Sequence, residues 1–217
     1  MNIKNIIKHF KTVCTHKFWV GYYCFKCGLY WRGIKHDMSK FSPVEFFESI
    51  KYYTGTSSPI EKCKKEKGYS EAWLHHRGRN DHHYEYWTDN YDKGGVALLM
   101  PLNCVIETVC DYLGACRAYY GNDKFTYTKE LIWYLEKIKN KPLMDERNIL
   151  FILIILNKLS LEYDYSARNI SKLKNVLNKK VLKDTYYFTI TETQLESFKK
   201  SYLDMVYKRL KIEREEE

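Results

Sequence analysis

Ala72-Trp73-Leu74-His75-His76-Arg77-Gly78-Arg79-Asn80-Asp81-His82-His83-Tyr84 holds four of the chain's seven histidines. Neutral imidazole is the commonest protein ligand for Zn, Fe, Mn, Ni and Cu, so two His doublets flanking a break read first as a metal site. The break is Gly78. Before it, a short helix from Ser70 to about Arg77 carries His75 and His76 at its end. After it, Asn80 or Asp81 can cap a following helix that begins with His82 and His83. Two helix ends are thereby expected to present four imidazoles to one place. Chance surface histidines are the competing explanation, but two doublets flanking a helix break are hard to derive from packing.

Toward the N-terminus, Ile6, Val13, Val20, Tyr23 and Cys27 recur at three- and four-residue steps and multiples of them, which predicts one or two amphipathic helices from Ile3 to about Tyr30. His16 falls on that apolar stripe, where a histidine is either a satisfied core residue or a ligand. Ser42-Pro43-Val44-Glu45 is a capping box with Pro at the first helical position, so a helix is expected from Pro43 to about Tyr53. His36-Asp37 therefore stands just before a fixed helix start, where its side chains have little freedom to turn away. Residues 54–69, with Gly55, Ser57, Ser58, Pro59 and a lysine-rich patch, read as an exposed loop.

Downstream, Asp89 to Gly95 is turn-rich, and Met100-Pro101 opens an amphipathic helix from Leu102 to about Tyr120. On it Glu107 and Asp111 are one turn apart and share a face. After Gly121 the composition changes and histidine disappears. Helices are expected over Lys129 to Lys139, Met144 to Ser160 and Ala167 to Asn178, then a short strand-like run over Thr185 to Ile190. Thr191-Glu192-Thr193-Gln194 is a capping box for a C-terminal helix, and the Lys/Glu-rich tail beyond it is expected to fray. Ile149 to Leu156, the longest apolar run, falls far short of the ~20 residues a membrane span needs and predicts a core helix. The expectation is an all-α protein, with a metal-binding helical core over residues 1–120. A mostly helical extension over 121–217 would serve packing, a lid or oligomer contacts.

Taken in chain order, His16, His36-Asp37, His75 or His76, His82-His83 and Asp111 resemble the HD-domain superfamily of metal-dependent phosphohydrolases. In those all-helical bundles a His, a His-Asp doublet, further His residues and a late Asp bind one or two metals. The branch whose doublet is followed at the third position by Lys is the nearest, with Lys40 in that place here. The strings HDMSKFSP and LHHRGRNDHH, with a later E-x-x-x-D helix, also resemble a mostly bacterial and phage family over roughly residues 10 to 120, without naming an activity. The HD resemblance implies His16, His36, Asp37, His75, His76, His82, His83 and Asp111 as the metal-ligand set, one of His75 and His76 being open. It implies one or two divalent transition-metal ions (Fe, Mn, Zn or Ni), with Asp37 as bridge and catalytic carboxylate. A metal pair ~3.5–4 Å apart generates hydroxide from bound water near neutral pH. Lys40, as a catalytic and substrate-binding residue, and Arg77 and Arg79 would bind phosphate oxygens. Asn80 or Glu107 would orient a ligand imidazole.

The formal charge of +9 attracts anions without choosing among them, and most lysines, mixed with carboxylates and apolar residues, belong to solvated helix faces. The expected partner is an anionic, phosphorylated small molecule, with nucleic acid compatible and no membrane partner, since no run is long enough to span one. Cys24 and Cys27 form the only C-x-x-C, with no second pair to complete four zinc ligands, so buried free thiols are expected. With an N-terminus, MNIKNIIKHFK, unlike a signal peptide, they imply a reducing, cytoplasmic location. Three functions follow: a metal-dependent hydrolase of a phosphate ester or nucleotide, an HD-type di-iron oxygenase, or a non-catalytic metal-stabilised binding protein.

Overall fold

A computed structural model describes residues 3–55, 57–121, 123–164, 176–177, 182–183 and 191–212. The protein is all-α. Its long helices are α1 (Ile3–Lys26), α6 (Leu102–Tyr120), α7 (Tyr127–Lys139), α8 (Glu146–Tyr163) and α9 (Glu192–Leu210). Between α1 and α6 lie the shorter α2 (Tyr30–Lys35), α3 (Pro43–Tyr52), α4 (Pro59–Lys67) and α5 (Glu71–Arg77). A two-residue ladder pairs β1 (Thr88–Asp89) with β2 (Val96–Ala97) in antiparallel fashion.

The pairing of α1 with α6 is the backbone of the molecule. It is close because α6 carries Gly114 at the crossing: a Cβ there would run into the Val20 side chain and stand 3.0 Å from the Val20 nitrogen. α2 folds back across α1 by the same device, since a Cβ on Gly33 would meet the Cys24 Cβ at 2.8 Å. Ile149 to Leu156 is buried on all sides, as a helix apolar all round must be, and α8 is packed by α6, α7 and α9. One contiguous core runs from Val20 on α1 to Tyr207 on α9. Among the described residues no helix is long and apolar enough to cross a membrane.

Several local signals act as read. Ser70 caps α5 by accepting from the Trp73 N–H, and Thr191 with Gln194 forms a complete capping box on α9. Two expectations fail. Residues 54–69 contain α4, begun by Pro59 and ended by Gly68 at φ +81°. Six of its nine residues are charged, and its two buried residues, Pro59 and Cys63, give too little periodicity to read. His82 and His83 do not begin a helix: His83 is extended, and a 3-10 turn follows over Tyr84–Trp87. Asp81 cannot serve as a cap because its carboxylate is bound by Arg32. The helix expected over Ala167 to Asn178 (all but Val176 and Leu177), the strand over Thr185 to Ile190 and the terminal residues 213–217 lie outside the described residues.

Candidate metal centre

Five segments of the chain meet around Asp37. α1 supplies His16, the turn after α2 supplies His36 and Asp37, the end of α5 supplies His76, and the loop beyond it supplies His82 and His83. α6 closes the group with Glu107 and Asp111. Asp37 itself has φ 51°, the left-handed region, in which an ordinary L-residue costs about 1–2 kcal/mol. Its carbonyl accepts from the Lys40 N–H at 3.0 Å, starting the 3-10 turn Met38–Phe41. A sharp turn, rather than a helix, thus aims this carboxylate inward.

The two carboxylate oxygens face two different sets of groups. Oδ2 stands 3.2 Å from His16 Nε2 and 3.2 Å from His36 Nε2, and Asp111 Oδ1 lies 3.1 and 3.5 Å from the same nitrogens. Oδ1 stands 3.3 Å from His76 Nε2 and 3.5 Å from His82 Nε2, and His83 completes that second set. A metal with bonds of about 2.1 Å in a tetrahedral shell separates its ligand atoms by about 3.4 Å. Within each set all candidate atoms lie within 4.8 Å of one another. Asp37 Oδ1, His82 Nε2 and His83 Nε2 are also buried without a hydrogen-bond partner among the described residues. Buried polar atoms are ordinarily paired, so these orphans fit a group that would bind all three at once. Buried His, Asp and Glu groups here could therefore hold a metal ion.

An outer ring of carboxylates fixes the imidazoles. Glu107 accepts from His36 Nδ1 at 2.8 Å and stands 3.4 Å from His82 Nδ1. Glu45 accepts from His76 Nδ1 at 2.8 Å and from His75 Nδ1 at 2.6 Å. With the proton held on Nδ1, the lone pair of Nε2 points to Asp37, the orientation that metal-binding histidines take from such partners. α3 secures α5 at both ends. Glu48 accepts from the Glu71 and Ala72 N–H groups at its start, and Glu45 holds the histidines at its finish. Arg32 binds Glu107 and Asp81 together, and Asn80 donates to Ser39 Oγ at 2.9 Å, which in turn lies 3.1 Å from His76 Nδ1.

The electrostatics are those of an enclosed anionic cluster. Burial alone would raise Asp37, but His36 and Lys40 hold its carboxyl well below the usual range. Asp111 is likewise held well below it, against burial, by His16 and His36. Burial opposes charge on His76, yet Asp37 and Glu45 lift it to about 9. Burial and the neighbouring His36 push His82 down to about 4, and burial with His82 and His76 holds His83 well below its usual range. Buried carboxylates on Asp37, Asp111, Glu107 and Glu45 thus exceed the fixed cations Lys40 and Arg32, and the difference is met by protons on histidine or by a bound cation.

Of the residues singled out from the sequence, His16, His36, Asp37, His76, His82, His83 and Asp111 come together. Asn80 and Glu107 stand behind them. Lys40 reaches Asp37 Oδ2 at 2.5 Å. His75 stays outside, on Glu45. Arg77 is outside the ligand cluster, and Arg79 is exposed and donates to the His75 carbonyl at 3.4 Å. Glu45 and Arg32 were missed. The capping box accounts for Glu45 in sequence, and its N–H does reach Ser42 Oγ at 3.5 Å, but its carboxylate is spent on the histidines. Nothing local to Arg32 marks it.

No curated protein and no solved structure matches the chain. Residues 5–157 match the profile of a protein family, a stretch that takes in every member of the cluster and runs through α7 into α8. With most of its length covered, the chain belongs to the family of unknown function DUF5662.

Proposed function

We propose that the protein is a metal-dependent hydrolase of a phosphate ester or nucleotide, built on an HD-like helical bundle. The observation that carries the reading is the division of Asp37, whose two oxygens face separate ligand sets. One or two bound divalent ions would supply Lewis acidity and a water of near-neutral pKa. The chain's own residues do the rest. Asp37 bridges the two sets, Glu107 and Glu45 keep the Nδ1 protons in place, and Lys40, at 27% exposure, offers a cation between the buried carboxylate and the surface. That ammonium suits the oxygens of an anionic, phosphorylated substrate, and Arg77 and Arg79, one and three residues beyond His76, would add guanidinium groups. The free cysteines support a reducing, cytoplasmic setting.

A second reading has one observation in its favour. His36, Asp37, His76 and His82 are only 1 to 2% exposed, as in a closed site where the metal stabilises the fold and does no chemistry.

Elemental analysis of chelator-free protein, followed by hydrolysis of an aryl phosphate and a nucleotide panel, tests both. Bound metal with turnover that disappears in Asp37→Ala and weakens in Lys40→Ala is the expected result. Metal without turnover after reconstitution with Mn, Fe, Zn and Ni selects the closed site, and metal-free wild type overturns both readings.

A further inference from the structure

α1 has a second apolar face that is left uncovered among the described residues. Ile3, Ile7, Phe10, Phe18 and Phe25 are 45 to 70% exposed. Exposed Cys14 fills the interval between Phe10 and Phe18. At 3.6 residues per turn these positions fall within an arc of about 80°, a straight stripe along a helix of 24 residues. The stripe lies roughly opposite His16, so the face that builds the metal centre and this face point in different directions. Phe41 extends it, with its ring 6.1 Å from that of Phe10, and Tyr30 does so at the far end, 5.3 Å from Phe25.

The charge around the stripe is one-sided. Residues 1–36 contain no Asp or Glu, while Lys4, Lys8 and Lys11 border the stripe along one edge and Lys26 and Lys35 follow. The acids of the adjoining α3 are turned elsewhere: Glu45 is buried on His75 and His76, and Glu48 caps α5. An exposed helix with a lysine border, a phenylalanine and isoleucine ridge and no acidic residue has the composition of one that lies in a lipid interface.

The alternatives fit less well. A twofold contact would set this face against itself and bring lysines onto lysines. A nucleic-acid surface favours guanidinium groups, and the only Arg of residues 1–36, Arg32, is committed to Glu107 and Asp81.

We propose that α1 docks on an anionic lipid bilayer, with the Ile3 to Phe25 stripe in the acyl boundary and the bordering lysines on headgroup phosphates. The metal centre then faces away from the membrane. This replaces the expectation of no membrane partner, which rested on the lack of a spanning run. Lying in the interface needs none.

Flotation of the full chain with vesicles of phosphatidylcholine, alone or mixed with phosphatidylglycerol, tests the proposal. Binding to the mixed vesicles alone, abolished at about 0.5 M salt, is expected. Each of Lys8→Gln and Lys11→Gln should cost about fivefold in vesicle affinity. Ile7→Ser with Phe18→Ser should cost at least about tenfold. Lys200→Gln, an exposed charge on α9, should leave binding unchanged. Thermal melts show whether each variant is folded, and the lysine variants keep the test open if the apolar ones melt early. No flotation with either vesicle overturns the proposal. So does binding to a labelled oligonucleotide in place of vesicles, or a dimer in solution that Phe18→Ser dissociates in the absence of vesicle binding.

Discussion

Glu107 Oε1 stands 2.8 Å from His36 Nδ1, so the opposite nitrogen of the same ring faces Asp37 and Asp111. A carboxylate behind a ligand imidazole sets its tautomer and raises its basicity, and removing it lowers metal affinity by about 10–100-fold. Glu107→Gln keeps the side-chain volume and loses the charge. It is expected to weaken metal binding by that factor, measured by competition with a chromophoric chelator. Wild-type affinity in the variant would show that Glu107 serves Arg32 alone.

The adjacent histidines of α5 give a second test. His76 Nε2 faces Asp37 Oδ1 at 3.3 Å, whereas His75 contacts Glu45 and is partly exposed. His76→Ala is therefore expected to lose at least one equivalent of bound metal, and His75→Ala to retain it, when both are purified without chelator and measured by elemental analysis. Loss of metal from both variants alike would place His75 among the ligands.

Glu130 of α7 predicts a pH dependence away from the metal centre. Burial lifts its carboxyl to about 8, although the Cys116 thiol beside it works the other way. The folded protein holds this proton more tightly than the unfolded chain, whose carboxyl titrates near 4.5. Its contribution to stability is present in full below about pH 4.5 and is lost as pH rises toward 8, on the order of 1 kcal/mol per pH unit. Glu130→Gln, which cannot ionise, is expected to flatten the fall in melting temperature over that window and to be more stable than wild type above pH 8. Parallel melting curves for the two proteins across the window would refute it.

Much of the architecture could be read locally. The start and end of α6, the Ser70 cap and the Thr191-Gln194 box are set by hydrogen bonds and apolar periods that span only a few residues. Short-range signals failed where a long-range partner took the side chain. Asp81, a candidate cap, is held by Arg32 across 49 positions. α4 was hidden because its largely charged sequence buries only Pro59 and Cys63.

By itself the sequence determined that this chain is helical and which residue types are available to bind a cation: His16, the His36-Asp37 doublet, the two later His doublets and Asp111. Tertiary structure alone decided that His76 rather than His75 points inward, and that Asp37 shows one oxygen to each ligand set. It also decided that Glu45, Glu107 and Arg32 stand behind the imidazoles. The reason is distance along the chain. Arg32 and Glu107 are 75 positions apart, and no local propensity links them. They meet because Gly114 lets α6 close onto α1, and Gly33 lets α2 close onto it as well.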